Sequence, residues 1–416
     1  MTVNQGKNPS WTEGRQPRSF EKEIRTLFLA AMAIFLVTVV IGMLNGLDLV
    51  DFDRPTLVTH VHAGTLGWIT LGIFATSLWL FGRTEAGSGW LASSPRWLSW
   101  LAIVSIALYT YAFYATSGIG RPVAGSLVFL AIAGFLLWML GQIRRVEMTV
   151  PRLALLAAMI NLVIGAIVGI LIGFNQAGRL SGLPDGLFVA HPATMVVGYL
   201  ILAGMAIGEW YLLPETPARE QKLGIIQVML PFLGGLALTV GAILDIFVLL
   251  LLNVPLEILG VLIFLWRLGP RLFRLPWLKG SGQRLAGISV LFIAVNVGLL
   301  AYLIVTYAED FESIPPWLIF ALDHAVFIGV MTNGLFAMIF LAGVSQRSVW
   351  AWSDHVLFWG MNIGLVGFVV GLITQEAAIK RIFSPIMGAS ILIAIAAYSL
   401  RLYYTSKTKE SSGARL

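Results

Sequence analysis

The capacity for chemistry in this chain rests on its five histidines, His60, His62, His191, His324 and His355. Neutral imidazole ligates haem iron, copper or zinc, and ionisable groups are rare inside membrane helices. His60 and His62 are two residues apart, about 200° around a helix, so they cannot hold one small ion together but can serve partners on opposite sides. Gly64 and Gly67 follow His62, and Gly329 and Gly334 follow His324, leaving room for a flat macrocycle to lie against a helix. This pattern predicts a haem b held axially by His62 and His324, with His60 and His191 turned toward a second haem or a copper ion. Gly67 and Gly329 would flank the macrocycle. Asp323 would either orient His324 or face a water-filled cavity. Met195, Met331 and Met338 are soft donors by type but read as core filling. His355, beside Asp354, reads as a cap or interfacial residue.

The elements that must position these residues follow from composition. Of 416 residues 58% are hydrophobic and 12% charged, and the mean hydropathy is +0.86, which excludes a water-soluble fold. Apolar runs start near residues 24, 56, 97, 122, 151, 188, 222, 246, 284, 316, 353 and 383, and in a bilayer each must be a helix. The expectation is an all-α, polytopic membrane protein of about twelve transmembrane helices: an N-terminal tail (1–23), one membrane domain (24–405) and a polar, disordered C-terminal tail (406–416). The turn after the seventh run is marked by little more than Asp245. With the N-terminus in the cytoplasm, Arg54, Arg121, Arg179, Lys380 and Arg381 are the five of the 27 Lys and Arg on the outer side, leaving 22 inside. The positive-inside rule therefore puts both termini in the cytoplasm. The net charge of +6 is then a mark of topology, and nucleic acid is not an expected partner. The first helix follows a polar, basic segment without a cleavage site and is retained.

In this frame the second, sixth and tenth helices all run inward, and His60, His62, His191 and His324 share one layer, roughly 6 to 13 Å below the outer surface. A membrane histidine can instead hydrogen-bond a neighbouring helix, for roughly 1 kcal/mol, or relay protons or substrate. Four at one depth on three helices favour ligation. The absence of cysteine removes disulfides, thiolate ligation, covalent haem and iron–sulfur clusters. The second and tenth helices also look alike: His62-Ala63 is followed by Gly67, Thr70, Gly72 and Phe74, and His324-Ala325 by Gly329, Thr332, Gly334 and Phe336.

Twelve helices with histidines on the second, sixth and tenth resemble subunit I of the haem-copper oxidase and nitric oxide reductase superfamily. The segments His60-Val-His-Ala-Gly-Thr-Leu-Gly-Trp68 and His324-Ala-Val-Phe-Ile-Gly329 are similar to the NnrS family of bacterial membrane proteins, and His191-Pro192 resembles the His-Pro that opens the sixth helix of the oxidases. The resemblance implies a haem-copper-oxidase-subunit-I-like bundle in a bacterial-type inner (cytoplasmic) membrane. It also implies haem, copper as a second cofactor, an electron-donor protein or quinol as partner, and redox chemistry or protection involving oxygen or nitric oxide. The chain departs from the oxidase pattern in having no histidine on the seventh helix and its His-x-His on the second rather than the tenth, which argues against reduction of oxygen to water and against proton pumping. Two other readings stand beside this one: a transition-metal or proton-coupled transporter using the same histidines with Asp323 and Glu257, and a haem or copper assembly factor.

Overall fold

Hydrocarbon offers no partner to main-chain N–H and C=O groups, so each apolar segment satisfies them internally as a helix. The computed structural model describes residues 19–82, 89–115, 118–213, 217–307, 309–310 and 313–413, and contains no strand among them. Twelve helices are long and apolar enough to cross a membrane: α1 (Glu21–Gly46), α2 (Arg54–Phe81), α3 (Trp90–Ala115), α4 (Gly120–Gln142), α5 (Val150–Gln176), α6 (Leu187–Leu212), α7 (Glu220–Leu244), α8 (Phe247–Leu272), α9 (Gly282–Tyr307), α10 (Pro316–Ala342), α11 (Ser353–Ile373) and α12 (Ala377–Thr405). The chain is an all-α, multi-pass membrane protein.

Most helix starts fall within a few residues of the apolar runs. The exceptions are α3, which starts at Trp90 rather than near residue 97, and α12, which starts at Ala377 rather than near residue 383. Their first turns carry Ser93, Ser94 and Arg96, or Lys380, Arg381 and Ser384, which hide the helix from a hydropathy reading. The sparse turn between α7 and α8 is real: Asp245 closes α7 with φ 54° and donates its N–H to the Gly241 carbonyl. The C-terminal tail, expected to be disordered, continues the last helix to Gly413, because extending a formed helix costs far less than nucleating one and no breaker intervenes. Residues 1–18 and 414–416 of the two tails lie outside the described residues.

Three helices form the centre. In the apolar windows of α2, α6 and α10, 83%, 67% and 72% of residues are buried, against at most 50% in the other nine. Around them α1 packs on α12, α11 on α12, α3 on α4, α4 on α5, and α7 on α8. Each central helix widens into a π-helical segment just after its histidine: Ala63–Thr70 in α2, Thr194–Ile201 in α6 and Ala325–Thr332 in α10. Such segments carry unpaired or weakened ladder bonds and recur at functional sites. Here threonines support them, Thr70 Oγ1 donating to the Thr65 carbonyl at 3.0 Å and Thr332 Oγ1 to the Phe327 carbonyl at 2.8 Å. The segments also bond to one another: Trp68 Nε1 donates to Thr332 Oγ1 at 2.9 Å, and Thr70 Oγ1 meets the Tyr199 hydroxyl at 3.3 Å. The likeness between α2 and α10 is therefore a shared backbone form, and α6 has it too.

At the end opposite the histidines, buried ion pairs tie the outer helices together. Arg267 of α8 binds Glu209 of α6 at 2.7 Å, with Gln227 of α7 donating to the same carboxylate. Asp354 of α11 binds Arg401 at 2.6 Å and accepts from the Tyr398 hydroxyl, both on α12.

Candidate functional site

Each histidine on a central helix is held by the same kind of bond. His60 Nδ1 lies 2.9 Å from the Thr38 carbonyl of α1, and His191 Nδ1 2.9 Å from the Gly165 carbonyl of α5. His62 Nδ1 lies 2.9 Å from the Val58 carbonyl and His324 Nδ1 2.7 Å from the Phe320 carbonyl, in both cases one turn back in its own helix. A carbonyl only accepts, so Nδ1 carries the hydrogen in all four rings and Nε2 keeps its lone pair for a ligand. None of the four Nε2 atoms makes a hydrogen bond to a described residue.

Alignment of the three π-helical segments explains the two modes. His60 and His191 each lie three residues before their segment and anchor on the preceding helix. Each ring rests on a glycine: a Cβ on Gly42 would come within 2.9 Å of His60 Cε1, and one on Gly169 within 2.7 Å of His191 Cε1. His62 and His324 each lie one residue before the segment, anchor in their own helix, and pack on an aromatic ring of the following helix. His62 stacks on Phe113 of α3 with ring centroids 4.0 Å apart, and His324 leans on Phe368 of α11 at 4.7 Å. The equivalent positions that remain are Leu322 in α10 and Ala193 in α6, so the third junction of the central helices has no ligand pair.

Across the junctions, His62 is within electrostatic reach of His191 and Arg121, and His324 within reach of His60. These interactions link His60, which packs on α1, with His324, which packs on α11, and His62, which packs on α3, with His191, which packs on α5. The sequence expectation paired His62 with His324 and His60 with His191, whereas these interactions link each histidine of α2 to the other partner. His60 and His62 lie on opposite faces of α2, against α1 and α3.

Other expected participants are placed elsewhere. Asp323 does not orient His324, whose Nδ1 is taken by the Phe320 carbonyl, and it makes no hydrogen bond or ion pair to a described residue. Gly67 and Gly329 admit the side chains of Ile34 of α1 and Phe292 of α9, which an added Cβ would strike. Met331 and Met338 are buried in the core, and Met195 lies on Gly165. His355 is exposed at the start of α11, with Nδ1 3.5 Å from the Arg284 guanidinium of α9. Sequence reasoning missed Gly42, Gly169, Phe113 and Phe368, which carry no signal among 43 glycines and 24 phenylalanines. It also missed Arg121, whose guanidinium lies 5.3 Å from the Phe113 ring centroid and donates to the Phe113 carbonyl. Its signal was its place among the few basic residues at the histidine end.

The donor set discriminates between cofactors. A copper or zinc ion in a protein takes three or four side-chain donors, and no group of three His, Asp or Glu able to hold a metal occurs among the described residues. A pair of imidazoles with free Nε2 atoms would instead suit a haem, which needs only one or two protein donors because the macrocycle supplies the rest. No protein-family model matches the chain, and no curated protein sequence matches it.

Proposed function

We propose that the protein is a haem-bearing redox protein of a bacterial-type cytoplasmic membrane that holds two b-type haems, one between His60 and His324 and one between His62 and His191. The observation that carries this reading is the shared anchoring of the four imidazoles, with Nδ1 bound to a main-chain carbonyl and Nε2 left as donor. That arrangement fixes ring orientation and tautomer as metal-bound histidines require. Haem held in this way supplies one-electron transfer at its iron. The protein's part is to set the rings, exclude water through the aromatic packing of Phe113 and Phe368, and offer Arg121 as counter-charge for a cofactor carboxylate.

The resemblance to the haem-copper oxidase and NnrS families is consistent with this reading, and it suggests oxygen or nitric oxide as the context and a quinol or electron-carrier protein as donor. The positive-inside distribution puts both termini in the cytoplasm and the histidine layer near the outer face. Two imidazoles suit haem better than copper, which takes three or four side-chain donors. Within each pair one ring, His60 or His191, is hydrogen-bonded to a neighbouring helix and seated on glycine, whereas the other, His62 or His324, is hydrogen-bonded within its own helix and packs on an aromatic ring. The second kind would be the more readily displaced ligand.

The test is haem stoichiometry and the reduced-minus-oxidised visible spectrum of the purified protein, expressed with ample haem. Wild type should carry two haems per chain. His60→Ala and His324→Ala should each lose one and the same spectral component, and His62→Ala and His191→Ala the other. A haem-free wild type, or loss of one component in both His62→Ala and His324→Ala alone, would overturn the assignment.

A further inference from the structure

The third junction of the central helices lacks histidines, and the sector outside it contains a cluster of buried polar atoms without hydrogen-bond partners among the described residues. Asn253 and Glu257 lie one turn apart on α8, with 0% and 1% of their surface exposed. Both amide atoms of Asn253 and both carboxyl oxygens of Glu257 are buried without a hydrogen-bond partner. Glu257 is about 15 Å along α8 from its first residue, close to the middle of the membrane. The helices packed against α8 are α6, α7 and α9, and their charged side chains are Glu209, Glu220, Lys222 and Arg284, all in terminal turns at the basic end. Arg267 and Arg271 of α8 itself lie at that same end, so Glu257 has no counter-charge at its own depth.

Four buried polar atoms on adjacent turns are costly in an apolar interior, and native proteins meet such groups with water or a bound ion. Glycines of α7 pack closely at this level. Gly234 of α7 lies against Asn253, where an added Cβ would come within 3.2 Å of Nδ2, and Gly235 lies against the backbone of Gly198 in α6. Asn161 of α5, which donates to the Gly198 carbonyl, leaves its own Oδ1 unpartnered as well. Toward the histidine end the polar track continues through Thr239 and Thr194, whose hydroxyls are 2.6 Å apart.

We infer that Asn253 and Glu257 form a hydrated proton-binding site in the middle of the membrane. The step is the transfer of one proton between water and a carboxyl oxygen of Glu257, with the Asn253 amide donating to and accepting from the same waters. No electron moves and no other reactant is consumed. The site stands on the geometry of α7 and α8 and does not depend on the haem reading.

Infrared spectroscopy of the full-length protein in lipid nanodiscs at neutral pH tests it. The wild type should show a protonated-carboxyl C=O band that is absent from Glu257→Gln and that shifts on transfer to D2O within the mixing time of the experiment. Asn253→Leu should keep the band and slow its exchange at least tenfold. If wild type and Glu257→Gln have the same carboxyl region, Glu257 carries no proton and the inference fails. If the band persists unshifted in D2O, the carboxyl is dry and the inference fails equally. Because wild type alone decides exchange, misfolding of a variant leaves the test intact.

Discussion

An imidazole in a membrane must place two nitrogens, and how it places the first determines what the second can do. In all four central histidines the first goes to a carbonyl, which by itself is what a structural histidine would do. The second nitrogen of each ring makes no hydrogen bond to a described residue, which leaves it available as a donor atom. The seats beneath His60 and His191 matter as much as the histidines. Gly42→Leu and Gly169→Leu would drive a side chain into a ring that already lies in contact distance, so on the two-haem proposal each variant should fall from two haems per chain to one while keeping every histidine. Haem content by pyridine haemochrome assay checks this. Retention of both haems would show that the glycines do not seat the rings.

At the scale of the element, the π-helical segments set the register in which the histidines are presented. An α-helix would have continued the ridge of His62 straight down α2, whereas the widened turn lets Trp68 reach Thr332 of α10 and Thr70 reach Tyr199 of α6. Thr332 holds two of these features, since it accepts from Trp68 and donates to the Phe327 carbonyl. Thr332→Val leaves a fully buried indole N–H unpaired, for a cost of about 1 to 3 kcal/mol. The expected outcome is a lower melting temperature in detergent, with Trp68→Phe restoring part of the loss. A melting temperature equal to wild type would mean that the segments do not depend on this bond. The Gly, Thr and Phe recurrence around His62 and His324 was legible in the sequence, but its meaning was not. A π-helical turn differs from an α-helical one by one inserted residue, and no residue type marks it.

At the scale of the molecule, the bundle closes where its first and last helices meet. Asp48, just beyond α1, binds Lys380 Nζ at 2.7 Å and Arg381 Nε at 2.8 Å at the start of α12. These are two of the five basic residues at the histidine end, and the carboxylate accounts for them. The Lys380 ammonium, and after it the Arg381 guanidinium, hold the Asp48 carboxyl below the usual carboxylate range. A carboxyl that binds protons less readily folded than unfolded stabilises the fold above its unfolded value. The stabilisation is lost as pH falls through the folded value. The difference in melting temperature between wild type and Asp48→Asn should therefore be full at about pH 7 and shrink as the pH falls through and below the usual carboxylate range. It should stay small, under about 1 kcal/mol, because the partners are partly exposed. A difference that does not change with pH would remove this ion pair from the closure.

The sequence by itself determined the number of spans, the asymmetry of charge between the two ends, and the common depth of the four histidines. These are local properties: hydropathy and backbone satisfaction act on one segment at a time, and depth is counted from its end. Spacing alone also placed His60 and His62 on opposite faces of α2. Only the tertiary structure decided which histidine each of them meets, that Gly42 and Gly169 rather than Gly67 and Gly329 lie against imidazoles, and that Asp323 orients nothing. Those outcomes depend on how α6 and α10 are rotated about their own axes. The rotation is set by contacts between residues far apart in the chain, such as Gly67 with Ile34, Gly329 with Phe292 and Trp68 with Thr332. Rotation about a helix axis leaves depth and hydropathy almost unchanged, so no pattern along a single segment records it.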